Sequence, residues 1–251
     1  ARLRAGGKLL TSLETNTPVR SFDILGVTLQ YELSYSNVIT ALDLSGIPRR
    51  AKERNDSHPV VIAGGPCTVN PEPLTDFMDV FFVGEAEEAV QEIVELKQRH
   101  AERQAFLEAI AKCDGFYVPD LGRSTVRRRY LASIETAPWP DKPLLPLMKP
   151  VHDRVTVEVA RGCIRGCRFC QAGIIYRPYR ERSPETVRQL LDRSLAWREE
   201  ALGRALLRFG QACRMVSNPP GEPDRWERCF LRARGYRDFG AFPLPRLRPF
   251  Y

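Results

Sequence analysis

Three cysteines lie within eight residues of one another, in the stretch RGCIRGCRFC at residues 161–170. Thiolates are the ligands that zinc and iron–sulfur clusters prefer in proteins. The CxxxCxxC spacing puts Cys163, Cys167 and Cys170 on one short loop, where their sulfur atoms can converge on a metal. The glycines between them permit tight turns, and the flanking arginines favour the thiolate form. The sequence therefore predicts a metal centre ligated by these three cysteines.

The number of cysteine ligands limits which kinds of metal centre the loop can hold. A structural zinc site closes with four ligands, and no fourth cysteine or histidine follows at finger or ribbon spacing. Three cysteines on a 4Fe–4S cluster would leave one iron free to bind another molecule. Two other interpretations stay open, namely ordinary reduced thiols and half of a zinc site completed by a partner chain. Seven cysteines in 251 residues are too few, and odd in number, for a disulfide scaffold, so a reducing, cytoplasmic location is predicted.

The elements around the loop indicate how it is held. Residues 155–159 alternate apolar and polar side chains, which predicts a strand running into the cysteine loop. Ser183 followed by Pro184 is typical of a helix start, and this helix is expected to reach about residue 197. A strand, a loop and a helix in this order predict the first βα unit of a partial TIM-type barrel at residues 151–197.

Residues 1–118 alternate between strands and helices, the pattern of a Rossmann-like open parallel α/β sheet. Strands are predicted at 22–29, 58–65 and 79–84, and helices at about 36–45 and 85–99. In such sheets ligands bind at the carboxyl ends of the strands. The candidate cofactor-binding residues there are Gly64, Gly65 and Gly84. We assign the acidic residues Glu85, Glu87 and Glu88 to the first helical turn, where they favour the helix dipole, and not to catalysis.

Two segments differ in composition from these folded regions. Residues 119–150 contain five prolines between 138 and 150 and are predicted to be a linker between domains. Residues 198–251 carry 11 arginines, no lysine and 6 acidic residues, so most of the net charge of +7 lies there. An out-of-frame reading of GC-rich DNA would produce this composition. A basic RNA-binding arm or a disordered terminus would also fit.

The chain has no apolar run near the roughly 18 residues that a membrane span needs, and it opens with Ala1 and without a signal-peptide pattern. We therefore expect no membrane partner, and we expect a fragment of a longer protein.

The CxxxCxxC loop, with the aromatic Phe169 just before its third cysteine, resembles the signature of the radical S-adenosylmethionine superfamily. This resemblance implies a 4Fe–4S cluster on Cys163, Cys167 and Cys170, with S-adenosylmethionine bound through its amino and carboxylate groups to the open iron. It further implies reductive cleavage to a 5'-deoxyadenosyl radical. It assigns Phe169 to cofactor binding, and an external one-electron reductase of the flavodoxin or ferredoxin type becomes the expected partner.

The upstream region resembles the cobalamin-binding-type domain that precedes the barrel in many members of that superfamily. The resemblance rests on four stretches: LQYELSY at 29–35, VIAGGPC at 61–67, NPEP at 70–73 and VGEAEE at 83–88. Together with VARGC at 159–163 they resemble a bacterial subfamily whose substrate is uncharacterised. Cobalamin would then lie near Gly64, Gly65 and Gly84. The DxHxxG motif of the axial histidine is absent, and His58 precedes a strand outside any such motif.

The sequence thus predicts part of a radical S-adenosylmethionine enzyme that uses a 4Fe–4S cluster, with cobalamin as a further candidate cofactor. With cobalamin, the resemblance implies methyl transfer to an unactivated carbon; without it, rearrangement or sulfur insertion on RNA or protein. Two alternatives from other classes remain. The chain could be a non-catalytic cobalamin- or nucleotide-binding module, or an iron–sulfur or zinc protein of electron transfer.

Overall fold

The computed structural model describes residue 3 and residues 6–122, 125–140 and 155–202, the last five by their backbone alone. These residues form two compact units, Ala1–Leu131 and Ala132–Tyr251. The division falls inside the segment predicted to be a linker. The part of the predicted linker that contains the prolines at 143, 146 and 150 lies outside the described residues. So does the anomalous tail beyond residue 202.

The first unit is an α/β fold. Its strands and helices, in chain order, are β1 (Ile24–Thr28), α1 (Tyr35–Ser45), β2 (Val60–Gly64), β3 (Val80–Phe82), α2 (Ala89–Arg99), α3 (Arg103–Ile110) and β4 (Phe116–Tyr117). Short 3-10 turns lie between them, at Val19–Ser21, Glu32–Ser34, Ala51–Glu53, Pro66–Val69, Glu72–Leu74 and Pro119–Leu121.

The four strands form one open sheet in the order β1-β2-β3-β4. Strands β1, β2 and β3 run parallel, and β4 pairs antiparallel with β3. The predicted Rossmann-like α/β sheet is confirmed. Three parallel strands and one antiparallel edge strand do not distinguish a cobalamin-binding domain from other open sheets, so that assignment stays a prediction.

The sheet is covered on both faces, which explains why its strands are continuously apolar. Side chains alternate along β2: Val61 and Ala63 join a buried cluster with α1, while Val60 and Ile62 join another with α2 and α3. Helix α1 ends as the sequence predicts, because Gly46 adopts a left-handed conformation with φ of 67° and closes the last turn.

The amino ends of β2 and β3 are fixed by a buried carboxylate that no sequence motif marks. Asp79 accepts hydrogen bonds from the Arg54 guanidinium at 2.9 Å and the Val61 backbone N–H at 2.7 Å. The guanidinium of Arg103 lies 2.5 Å from its other oxygen. Burial lowers the pKa of Arg54, and the charge of Asp79 counteracts that shift. These contacts join the loop before β2, the start of β3 and the start of α3 at the edge of the sheet opposite the candidate glycines.

Helix α2 begins later than the sequence predicts. It starts at Ala89 instead of residue 85, so Glu85, Glu87 and Glu88 all precede it and none is an acid of its first turn. Glu85 instead accepts a hydrogen bond from the Leu131 backbone N–H at 3.0 Å and pairs with Arg128 at 3.1 Å. Its charge therefore holds the segment 125–131 against the loop that leads into α2.

The second unit contains β5 (Ala160–Arg161), α4 (Ala172–Ile175), β6 (Arg180–Glu181) and α5 (Pro184–Leu202). The predicted strand at 155–159 is wrong in position, since only Ala160 and Arg161 are strand, and they pair antiparallel with β6. A barrel strand needs parallel neighbours, and the part of the chain that the structure describes supplies none to β5. The partial TIM-type barrel therefore stays a prediction.

Helix α5 begins where the sequence places it. The Ser183 hydroxyl accepts a hydrogen bond from the Thr186 backbone N–H at 3.1 Å, as a helix N-cap does. The helix is described as far as Leu202, five residues beyond the predicted end.

Within the described residues, no helix has the length and apolar character required to cross a membrane.

Candidate functional site

The three cysteines of the CxxxCxxC motif occupy one loop between β5 and α4, and none of them is in a disulfide. Cys167 is exposed, while Cys163 and Cys170 are half-buried. The Arg165 backbone N–H donates a hydrogen bond to Cys163 Sγ at 3.4 Å, and the Cys170 N–H donates to the Cys167 carbonyl at 3.1 Å. The loop is therefore a turn with its thiols reachable from solvent.

The described His, Cys, Asp and Glu side chains form no group of three that is already placed to hold a metal ion. Thiolates repel one another, so three of them converge only when a cation compensates their charge. Gly166, in the middle of the loop, has open space around its Cα, which leaves room for such convergence. The ligand assignment of Cys163, Cys167 and Cys170 stays a prediction, and their donor atoms are of the kind that an iron–sulfur cluster requires.

The start of the loop is fixed by close backbone packing at Gly162. Its φ is 89°, and a Cβ there would lie 2.7 Å from the carbonyl oxygens of both Tyr176 and Pro178. Only glycine fits this position without displacing backbone. The direction in which Cys163 leaves β5 is therefore set by contact with the segment that leads into β6.

Phe169 lies on the exposed side of the loop, with 93% of its surface accessible. Ile164, between the first two cysteines, and Ile174, after the third, are exposed as well. Burial of such apolar side chains is favourable whenever a cofactor or another part of the protein covers them. The cofactor-binding role of Phe169 stays a prediction.

Tyr179 lies close enough to Cys163 for their charges to interact. The Tyr179 hydroxyl donates a hydrogen bond to Glu181 at 3.0 Å. Burial, with contributions from Glu181 and the Cys163 sulfur, raises the pKa of Tyr179 to about 12. It is therefore a neutral hydrogen-bond donor at physiological pH.

Beneath the loop, the buried guanidinium of Arg182 connects three parts of the second unit. It donates to the carbonyl oxygens of Glu135 and Ala137 at 3.2 and 3.3 Å, and to the Glu158 carboxylate at 3.3 Å. The Arg182 side chain is only 1% exposed. A guanidinium buried to this extent must find acceptors, because an unpaired buried charge is costly.

Glu135 caps helix α5 from a distance of about fifty positions along the chain. Its carboxylate accepts hydrogen bonds from the Ser183 backbone N–H at 2.8 Å, the Ser183 hydroxyl at 2.6 Å and the Thr186 hydroxyl. These bonds, led by the Ser183 hydroxyl, hold the pKa of the Glu135 carboxyl below its usual range. The segment after residue 131 is thereby attached to the unit that carries the cysteines.

Sequence reasoning missed Glu135, Glu158 and Arg182. Arg182 directly precedes a recognisable N-cap, but its acceptors lie 24 to 47 positions away, and no local pattern indicates such pairing. Glu158 has a weak local signal, since it is the one charged residue in an apolar alternating run. Arg161 is one of the flanking arginines expected to favour the thiolate form, but its guanidinium forms a bidentate ion pair with Glu158. The Glu158 carboxylate therefore competes with the thiolates for its charge.

In the first unit, the structure brings the predicted glycines to the carboxyl edge of the sheet but gives two of them a packing role. A Cβ on Gly65, at φ of 98°, would lie 2.8 Å from the Leu29 carbonyl oxygen. A Cβ on Gly84, at φ of 155°, would lie 2.3 Å from the Arg129 carbonyl oxygen. Gly64 faces open space. Close backbone approach accounts for Gly65 and Gly84 without a ligand, and their cofactor-binding role stays a prediction.

Two polar side chains meet beside these glycines. The Tyr35 hydroxyl and the Cys67 thiol are hydrogen-bonded, and Glu32 lies nearby. Burial first, then the negative charge of Glu32, raises the pKa of the Cys67 thiol. Cys67 is therefore a neutral, largely buried thiol that packs as a small core residue.

His58 lies at the opposite edge of the sheet. Its ring Nδ1 accepts a hydrogen bond from the Asn55 backbone N–H at 3.3 Å, in the turn that leads into β2. This places His58 at the amino ends of the strands, away from Gly64.

Comparison with known proteins supports the radical S-adenosylmethionine assignment. Residues 1–119 match the family model described as "Radical SAM proteins, N-terminal". The chain is also similar to an uncharacterized protein of Methanocaldococcus jannaschii, with 30% identity over 187 residues. That similarity covers 72% of the chain but 37% of the relative, so the chain spans little more than a third of that protein's length. No solved structure matches the chain.

We predict that Gly84→Ala loosens the 125–131 segment and that Gly64→Ala does not. The new Cβ must displace the Arg129 backbone, at a cost of about 1–3 kcal/mol for strain of this kind, whereas Gly64 has room. Hydrogen–deuterium exchange should therefore accelerate at the amides of Glu85 and Arg129, which are bonded across this contact. Equal protection in the two variants would refute the packing role of Gly84.

We predict that acid weakens the second unit through Glu135. The pKa of Glu135 is lower in the folded state than its unfolded value of about 4.3. Its contribution to the free energy of unfolding is therefore complete above the unfolded pKa and is lost as the pH falls through the lower folded pKa. All three tryptophans, at 139, 197 and 226, follow residue 131, so their fluorescence reports urea unfolding of this unit.

The urea midpoint should therefore fall between pH 6 and pH 3 by more in the native chain than in Glu135→Gln. Glu185→Gln, at an exposed position in the first turn of the same helix, is the matched control and should follow the native chain. Parallel pH profiles for the native chain and Glu135→Gln would contradict the assignment.

Proposed function

We propose that the chain is part of a radical S-adenosylmethionine protein in which Cys163, Cys167 and Cys170 hold a 4Fe–4S cluster. The observation that carries the proposal is the presence of three uncrosslinked thiols on one exposed loop. The chain that bears them has its first 119 residues in the family model for the amino-terminal region of such proteins. Neither observation alone favours this chemistry as strongly as the two together.

The donor set fits a cluster with one open iron. Three sulfur ligands occupy three of the four corners that a 4Fe–4S cluster presents, so one corner remains for an exchangeable ligand. The Arg165 N–H that donates to Cys163 Sγ adds a second feature, since hydrogen bonds to sulfur help to set the reduction potential of such clusters. A closed zinc site would need a fourth protein ligand that the loop does not offer.

When bound, the cluster supplies the electron that cleaves S-adenosylmethionine to methionine and a 5'-deoxyadenosyl radical. The chain's own residues do the positioning. Gly162 sets the direction in which the loop leaves β5, and Phe169 presents an apolar face next to the third ligand, where a bound nucleoside can cover it. Tyr179, held neutral, donates a hydrogen bond close to Cys163 without adding charge.

The electron comes from outside the chain in this proposal, from a reductase of the flavodoxin or ferredoxin type. The exposed side of the loop, with Cys167 and Phe169, is where such a donor can approach. Because the cluster is oxygen-sensitive, we place the protein in the reducing cytoplasm. The substrate is an RNA or a protein in this proposal, and hydrogen abstraction from it starts the reaction.

Cobalamin is not needed for this function. Two of the three glycines expected to make room for it are already filled by the backbone of Leu29 and Arg129, and Gly64 alone faces open space. His58 is the histidine nearest to Gly64 in the sequence, but it lies at the opposite edge of the sheet, at the amino ends of the strands. Cobalamin and the methyl transfer that it would support stay predictions, and no step here depends on them.

Anaerobic reconstitution with iron and sulfide tests the proposal. We expect about four iron atoms per chain and, after reduction, an electron paramagnetic resonance signal whose shape changes when S-adenosylmethionine is added. The Cys163→Ala, Cys167→Ala, Cys170→Ala triple variant should lose both the iron and the signal.

Cys67→Ala combined with Cys113→Ala is the matched control. It removes two thiols of the first unit and should leave the iron content and the signal unchanged. Uptake of one zinc per chain, or a signal that does not respond to S-adenosylmethionine, would refute the proposal and favour a zinc or electron-transfer protein.

A further inference from the structure

One carboxylate, that of Glu158, lies between two guanidiniums just before the cysteine loop. Its Oε1 accepts a hydrogen bond from Arg161 Nε at 2.7 Å. Its Oε2 accepts from Arg161 Nη2 at 3.1 Å and from Arg182 Nη2 at 3.3 Å. Arg161 is two residues before Cys163, and Arg182 directly follows β6. Glu158 therefore joins the strand that enters the loop to the strand that follows it.

The ribbon that Glu158 joins is too short to be rigid by itself. Strands β5 and β6 contribute two residues each, extended by one backbone bond from the Arg182 N–H to the Val159 carbonyl at 2.9 Å. Isolated two-stranded ribbons are marginally stable in water. Side-chain contacts across this ribbon consequently decide how firmly the first cysteine is held.

The ion pairs of Glu158 are shielded enough from water to stabilise the ribbon. The Arg182 side chain is 1% exposed, that of Arg161 is 19% exposed and that of Glu158 is 28% exposed. Pairs between exposed side chains contribute little, because water and salt screen them, but a guanidinium as buried as Arg182 depends on its acceptors. The fork between Arg161 and Glu158 also fixes the orientation of both groups, which a single contact would not do.

We propose that Glu158 is a positioning residue for the cysteine loop, an inference that rests on the function proposed above. Its carboxylate accepts two hydrogen bonds from Arg161 and one from Arg182. These contacts fix the direction from which Cys163 reaches the cluster. Outer residues that orient metal ligands influence affinity and spectra although they never touch the metal.

The variants Glu158→Gln and Arg161→Lys test this role together. Glu158→Gln removes the shared charge, while Arg161→Lys keeps the net charge but replaces the planar fork with a single ammonium. If geometry is what matters, both variants should lower cluster affinity by about 10-fold and broaden the signal of the reduced cluster. Glu185→Gln, in the same unit and with the same charge change as Glu158→Gln, should behave as the native chain.

A second readout works without any cluster. In the metal-free chain, the half-buried Cys163 should be alkylated by iodoacetamide several-fold faster in both variants, relative to the exposed Cys167, as measured by peptide mass spectrometry. Acceleration in Glu158→Gln alone would indicate a charge effect on the thiol and overturn the positioning role. An unchanged ratio in both variants would overturn it too.

The two proposals can fail separately. If the native chain takes up no cluster, the function proposed above fails, while the alkylation ratio still decides whether Glu158 orients the loop. Tryptophan fluorescence shows whether the second unit of a variant is folded. If Glu158→Gln unfolds that unit, Arg161→Lys, which leaves the contact between Arg182 and Glu158 in place, provides the deciding comparison.

Discussion

The buried guanidinium of Arg182 is the interaction on which the cysteine-bearing unit depends. Its acceptors come from the segment at 135–137 and from Glu158, and its own backbone continues the pairing of β5 with β6. A buried charge that loses an acceptor is costly, so Arg182 depends on the Glu158 carboxylate as well as on the two carbonyl oxygens. The Arg182 side chain thus connects the start of the cysteine loop, the start of helix α5 and the segment after residue 131.

The first unit follows a comparable arrangement with the charges reversed. There the buried group is a carboxylate, Asp79, and two guanidiniums converge on it at the amino ends of β2 and β3. At the opposite edge of the sheet, the Thr68 hydroxyl lies 2.8 and 3.0 Å from the carbonyl oxygens of Gly65 and Phe82 and can donate its hydrogen bond to either. Buried ionic contacts therefore hold the amino edge of the sheet, while the carboxyl edge combines close packing at its glycines with the ion pair between Glu85 and Arg128.

Local patterns predicted much of this structure and long-range pairing almost none of it. Strand β2 follows from its apolar run, the end of helix α1 from Gly46 and the start of helix α5 from Ser183, because each depends on neighbours in the sequence. The position of β5 and the start of helix α2 were mispredicted, since both depend on partners elsewhere in the chain, residues 180–181 for the strand and Leu131 for Glu85. The three cysteines were identified from their spacing, whereas Glu158 and Arg182 were not, because their contact spans 24 positions.

The most direct test of the account is Mössbauer spectroscopy of the chain reconstituted with isotopically enriched iron, before and after S-adenosylmethionine is added. Ligation by Cys163, Cys167 and Cys170 leaves one iron without a protein ligand, so about one quarter of the absorption should shift on addition while the remainder stays unchanged. A spectrum in which all iron sites remain equivalent with S-adenosylmethionine present would contradict the open iron, and with it the function proposed for this loop.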